Sequence, residues 1–205
     1  IARDAAFQFY YPDNLEAFAA QGVELVEFSP LQDQSLPDNI DGLYIGGGYP
    51  EVYARELSQN ISMLESIRQH AARKKFLYAE CGGLMYLSQF VRDTTGGDWP
   101  MLGLLPFATE MLEKRKMLGY MSTTLQEDCL LGPKGMEIRG HEFHYSQIID
   151  EHSAGSFEKI YNVKGRRKTS KDRQEGYWNG HILASYVHQH FASKPDCVRG
   201  FCKQL

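Results

Sequence analysis

Long apolar runs are missing from this 205-residue chain. None approaches the roughly 20 residues a membrane-spanning helix needs, and the first residues carry no secretory pattern. Positive charge is in deficit, with 22 Lys and Arg against 26 Asp and Glu and a net charge of −4. That removes the electrostatic case for a nucleic-acid partner. Cysteine is scarce: Cys81, Cys129, Cys197 and Cys202 are widely spaced, with no CxxC pair. This pattern argues against both a zinc site and a disulfide framework, and it fits a reducing, cytoplasmic setting. No phosphate loop is present, because the glycine run Gly46-Gly47-Gly48 is not followed by Gly-Lys-Ser/Thr. Internal repeats and low-complexity segments are absent too. What remains is ordinary globular material, 42% hydrophobic and 23% charged, enough for one substantial core or two small ones.

The first half alternates strand and helix signals. Ile1-Ala2-Arg3 reads as the end of a strand, and Asp13 or Asn14 as the cap of a helix burying Leu15, Phe18 and Ala19. Val23–Phe28 alternates like a strand, and Gly42–Ile45 is a short apolar strand ending in the glycine run. Ser58–Ala72 has Ile61, Leu64, Ile67 and Ala71 at helical spacing, and it leads into the apolar strand Phe76–Glu80. Such alternation predicts an α/β fold with a mostly parallel sheet flanked by helices. The second half reads as β-rich, with strands over Met117–Leu125, Met136–Ser146 and Ile182–Val187 and a turn at Gly132–Gly135. The basic stretch Lys164, Arg166, Arg167, Lys168, Lys171 and Arg173 reads as a solvated hairpin or loop.

Chemistry concentrates at Glu80-Cys81-Gly82-Gly83, where a strand turns sharply into a helix. A nucleophile on such a turn is exposed at the carboxyl edge of a sheet, beside helix N–H groups that lower a thiol pKa and bind an oxyanion. Tyr186-Val187-His188-Gln189-His190 also follows a strand, and period-2 spacing places His188 and His190 on one face. Together they suggest acyl transfer through a cysteine thioester, with His188 as general base and acid and His190 held in reserve. Backbone N–H groups at Gly47, Gly48 and Gly82 are the oxyanion candidates. His141-Glu142-Phe143-His144 fails the zinc-protease spacing, and on a strand its histidines face opposite sides, so no metal site is expected.

Five motifs, in order, then resemble one family: Phe9-Tyr10-Tyr11-Pro12-Asp13-Asn14, Gly46–Glu51, Ala79–Tyr86, Gly140–Ser146 and Tyr186–Ser193. The chain resembles the C-terminal glutaminase domains of the cobyrinic acid a,c-diamide synthases, in the cobalamin-pathway branch of class I glutamine amidotransferases. The resemblance covers nearly all of residues 1–205 as one glutaminase domain. It implies the flavodoxin-like class I fold, glutamine as substrate, Cys81 as nucleophile and His188 as its partner. Glu142, His144 and Tyr145 join the site as secondary candidates. No cofactor is implied here. ATP and magnesium are implied for an N-terminal synthetase domain not included in this chain, which would amidate the a and c carboxylates of a corrinoid acceptor with the released ammonia. Many class I glutaminases have His-x-Glu where this chain has His188-Gln189-His190, so the resemblance implies a Cys–His dyad. Glutaminases of cobyric acid synthase and of a nickel-tetrapyrrole a,c-diamide synthase share parts of the pattern. A reading from another class is a non-catalytic docking module that uses the basic stretch Lys164–Arg173.

Overall fold

A computed structural model describes residues 1–151, 157–165 and 172–204. In chain order its elements are β1 (Phe7–Phe9), α1 (Pro12–Ala19), β2 (Gly42–Ile45), β3 (Gly47–Gly48), α2 (Ala54–Gln59), α3 (Ile61–Ala72), β4 (Phe76–Glu80) and α4 (Gly82–Leu87). There follow β5 (Phe90–Arg92), β6 (Asp98–Pro100), β7 (Ala108–Met111), β8 (Met117–Leu125), β9 (Glu137–His144), β10 (Ser146–Ile149), β11 (Glu158–Gly165), β12 (Arg173–Trp178), β13 (Ile182–Ser185), β14 (His188–Gln189) and α5 (Asp196–Cys202).

The main sheet has eight strands in the order β14-β9-β8-β11-β12-β13-β4-β2. Alternating side chains along β2 and β4 explain how it is covered. Leu43, Ile45, Leu77 and Ala79 join Leu57, Met63, Leu64 and Ile67 of α2 and α3 in one core. Tyr44 and Tyr78 point the other way, onto Phe18 of α1 and Val198 and Phe201 of α5. The α/β class is therefore as expected, but the sheet is mixed rather than mostly parallel. Parallel pairing joins β2 to β4 and β4 to β13, and every other pairing in this sheet is antiparallel. The parallel half presents the carboxyl end of β4, and the antiparallel half curls round to face it.

Several local expectations change. Val23–Phe28 is not a strand. Its one bridge is Phe28 to Ala2, because the Asp4 carboxylate accepts from the N–H groups of Ala6 and Phe7 and folds the partner away. The helix expected from Ser58 breaks at Asn60, whose side chain accepts from Met63 N and donates to Pro30 O and Asp33 O. Ile61 consequently faces solvent and Met63 the core. Helix α1 begins at Pro12, so Asp13 and Asn14 lie inside it, Asn14 is buried and Ala19 is exposed. Ile182–Val187 ends as a strand at Ser185. The strand expected over Met136–Ser146 ends at His144, and Ser146 starts β10 in a second sheet of order β10-β7-β5-β6. Strands β11 and β12 pair antiparallel, yet they sit inside the main sheet with Ile160, Tyr161 and Val163 buried. Arg166, Arg167, Lys168 and Lys171 lie outside the described residues.

Candidate active site

Cys81 occupies the first position after β4, with φ 49° and ψ −103°, and α4 starts immediately behind it. A non-glycine residue in this conformation is strained, and such strain persists only where the surroundings impose it. Here Cys81 N donates to Ser185 O of the neighbouring β13, and Cys81 O accepts from Met85 N in α4, clamping the turn from both sides. Gly82 is the first helical residue, so its N–H has no acceptor within the helix. Gly48 N lies 3.0 Å from where a Cβ on Gly82 would stand, so the glycine run and the elbow meet without a side chain between them. Gly47 faces His188, whose Nε2 would lie 3.1 Å from a Cβ at position 47.

His188 reaches the same place from the antiparallel half. It pairs with His141 across β14 and β9, the two imidazoles stack at 4.6 Å, and Phe9 meets the ring edge-on at 4.7 Å. Cys81 and His188 line one cavity of about 410 Å³ with Gln8, Phe9, Gly48, Tyr49, Glu51, His141, Phe143, His144 and Tyr145. His190 is not brought there. The expected shared face fails because β14 is two residues long and the chain turns at once into a short 3-10 helix, Phe191–Ser193. His190 Nε2 instead lies 3.3 Å from Asp13 Oδ2, outside the cavity.

The secondary candidates divide by face. Along β9 burial alternates, so Glu142 and His144 turn inward, opposite to His141. Glu142 accepts from His144 Nε2 at 2.8 Å and from Arg173 of β12. Burial alone would raise its pKa, but those two donors hold it below the usual carboxylate range. His144 stacks on Tyr186 at 4.0 Å and contacts Ser146 O through Nδ1, while Tyr145 is part of the cavity rim.

Both reactive groups are neutral at rest. Burial pushes the Cys81 thiol up to about 12, the Glu51 charge adds to this, and the Gly82 N–H opposes it. Burial, then the neighbouring His141 and His144, push the His188 imidazole down to about 3. The site thus holds a neutral thiol, turned to Phe143 O at 3.7 Å, and a neutral imidazole in one cavity.

Three residues placed at or behind the cavity are not among the site candidates named from the sequence. Glu51 lines the cavity beside Cys81 with its carboxyl raised by burial, and it has no ion-pair partner among the described residues. Its signal is a carboxylate three residues after the glycine run. His141 stacks on His188, in a motif that offers only Glu142, His144 and Tyr145 as candidates from the sequence. Buried Asn14 donates to Gln189 O and accepts from Phe191 N, both at 2.8 Å, and so fixes the segment carrying His188. No local pattern announces a contact 175 residues away.

Comparison with known proteins identifies the family and the fold. The family model described as a CobB/CobQ-like glutamine amidotransferase domain matches residues 1–196. A cobyrinate a,c-diamide synthase of Syntrophotalea carbinolica is 48% identical over 201 residues, 98% of this chain and 44% of that protein. A protein of the same name from Leptospira interrogans serogroup Icterohaemorrhagiae serovar copenhageni is 46% identical over 202 residues, with the same coverage of each. The chain thus spans less than half the length of these curated relatives. Among solved structures, a glutamine amidotransferase crystal structure superposes with a TM-score of 0.68 at 16% identity, covering 98% of each chain, which speaks for the fold.

Proposed function

The chain belongs to the CobB/CobQ-like glutamine amidotransferase domain family, and from that premise we propose that it is the C-terminal glutaminase part of a cobyrinate a,c-diamide synthase. Glutamine enters the cavity with its side-chain amide over Cys81. His188 takes the thiol proton, the sulfur attacks the amide carbon, and the N–H groups of Gly82 and Gly48 receive the oxyanion. The protonated His188 gives its proton to the departing nitrogen, and ammonia leaves a thioester. Water then enters, His188 removes its proton, and the resulting tetrahedral adduct collapses to glutamate and free Cys81. Glu51 meets the α-ammonium of glutamine, which supplies the positive charge this half-buried carboxylate lacks among the described residues. The observation carrying the reading is the placement of Cys81, on a strained elbow, in one cavity with His188.

The remainder of the synthase, more than half of the curated relatives' length, would consume the ammonia. The exposed aromatics Phe9, Tyr49, Phe143 and Tyr145 lie at the cavity, an apolar rim suited to that domain. ATP and magnesium would act there, with a corrinoid dicarboxylate as acceptor, and nothing in this chain is assigned to them. No helix among the described residues is long and apolar enough to cross a membrane. The test is glutamate release from glutamine by the full-length synthase with its acceptor present, beside Cys81→Ala and His188→Ala. Both variants should fall to background while remaining folded. Undiminished glutamate release in Cys81→Ala would end the thioester reading.

A further inference from the structure

His188 Nδ1 is fully buried and has no hydrogen-bond partner among the described residues. A buried polar atom left in that state needs an explanation. The acidic group it faces is Glu80, the residue just before the nucleophile, whose Oε2 lies 3.8 Å away. Other carboxylates nearby are engaged elsewhere: Glu142 with His144 and Arg173, and Asp13 with His190. Glu51 lies at the cavity with Cys81. The other ring packed on His188, that of His141, stacks face to face and hydrogen-bonds through Nδ1 to Tyr11.

Glu80 itself is 1% exposed and held from three directions. Oε1 accepts from Tyr78 OH at 2.6 Å and from Gln189 N at 2.8 Å, and Oε2 accepts from Tyr44 OH at 2.7 Å. Burial outweighs these donors and raises the group to about 7, while each of the three hydrogen bonds pulls back toward the ionised carboxylate. They also leave Oε2 with an unused lone pair on the side of His188. The Gln189 bond ties the carboxylate to the residue next to the imidazole it faces.

Resting on the glutaminase reading, we infer that Glu80 is the positioning residue for His188. Its carboxylate keeps the neutral ring protonated on Nδ1, so that Nε2 faces the cavity as the base. When His188 takes the Cys81 proton, the Nδ1–H to Oε2 gap closes and the imidazolium gains a buried counter-charge. The strand that presents the nucleophile thus also supplies the group that orients its base, through side chains of adjacent residues pointing to opposite faces of the sheet.

Glu80→Gln in the full-length synthase tests this. The kcat for glutamate release should fall by on the order of 10²-fold or more, the KM for glutamine staying within about threefold, because orientation is lost while the binding cavity is kept. Tyr44→Phe removes a bond to the same oxygen but leaves the carboxylate, and should keep kcat within about fivefold. If both variants lose activity equally, Glu80 is only a structural tie. If Glu80→Gln keeps wild-type kcat while Cys81→Ala is dead, this inference fails and the glutaminase stands. Activity surviving in Cys81→Ala would sink the glutaminase reading instead. Should Glu80→Gln fail to fold, ¹⁵N NMR of His188 in the parent protein decides. An Nδ1–H tautomer is expected, and an Nε2–H tautomer overturns the assignment.

Discussion

Replacing Cys81 by alanine and by glycine should reverse the usual order of stability. Both substitutions remove the thiol, but only glycine relaxes a backbone held at φ 49°, ψ −103°. That conformation lies outside even the small left-handed region open to ordinary residues, which places its cost in the upper part of the range, about 2–3 kcal/mol. Against this, glycine gives up about 0.4–1 kcal/mol to the greater freedom of its unfolded chain. Losing one buried methyl costs about 0.8 kcal/mol more. The difference leaves Cys81→Gly more stable than Cys81→Ala by about 1 kcal/mol. For a domain of this size that is a Tm higher by roughly 2–4 °C. Thermal unfolding of the two inactive variants, followed by circular dichroism in one buffer, measures the difference directly. A glycine variant melting at or below the alanine variant would refute the argument that the elbow stores strain. At an unstrained buried position such as Ala79, glycine should be the less stable of the two.

Two further outcomes follow from the electrostatics of the cavity. Glu51→Gln should raise the KM for glutamine about tenfold or more with little change in kcat, the loss expected for one charge-assisted hydrogen bond; an unchanged KM would remove Glu51 from substrate binding. Alkylation of Cys81 by a small neutral reagent, followed by peptide mass spectrometry, should speed up about tenfold per pH unit from pH 7 to 9. The sign follows from burial, which favours the neutral thiol and pushes its pKa to about 12, so reactive thiolate keeps growing throughout that window. A rate that levels off below pH 9 would show a thiolate already formed in the free protein.

The legible parts of this molecule are those whose cause is local. The β4 strand, the turn at Cys81 and the start of α4 follow from five mostly apolar residues, a cysteine and two glycines in succession. Strand β8 occupies the nine residues its pattern predicts. Illegible parts depend on partners. Val23–Phe28 has a strand's alternation but only one bridge to a neighbour, so the pattern has no ladder to join. Arg173 ends the basic stretch read as a solvated hairpin or loop, yet it opens β12 inside the sheet, where Glu175 accepts from Ser185 OH and Tyr186 N in the adjacent turn. His190 shares spacing with His188 but not a face, because the extended segment stops too soon for period-2 geometry to apply. In the site, the meeting of Cys81 and His188 in one cavity was legible from residue type and context. The supporting shell of Asn14, Glu51 and His141 was not, because its members meet only after the antiparallel half has curled back.

That long closure has a consequence for how activity is acquired as the chain is made. The bond from Gln189 N to Glu80 joins residues 109 apart, and β14 is set in place by β9 and by Asn14. A nascent polypeptide that has already formed the β2–β4 core and its cysteine elbow still has no imidazole beside the thiol. Most of the intervening antiparallel sheet must be synthesised and paired before His188 arrives, and contacts of such sequence separation form late and slowly. On the glutaminase reading, a molecule that ends before His188 carries the thiol without its base and should release no ammonia.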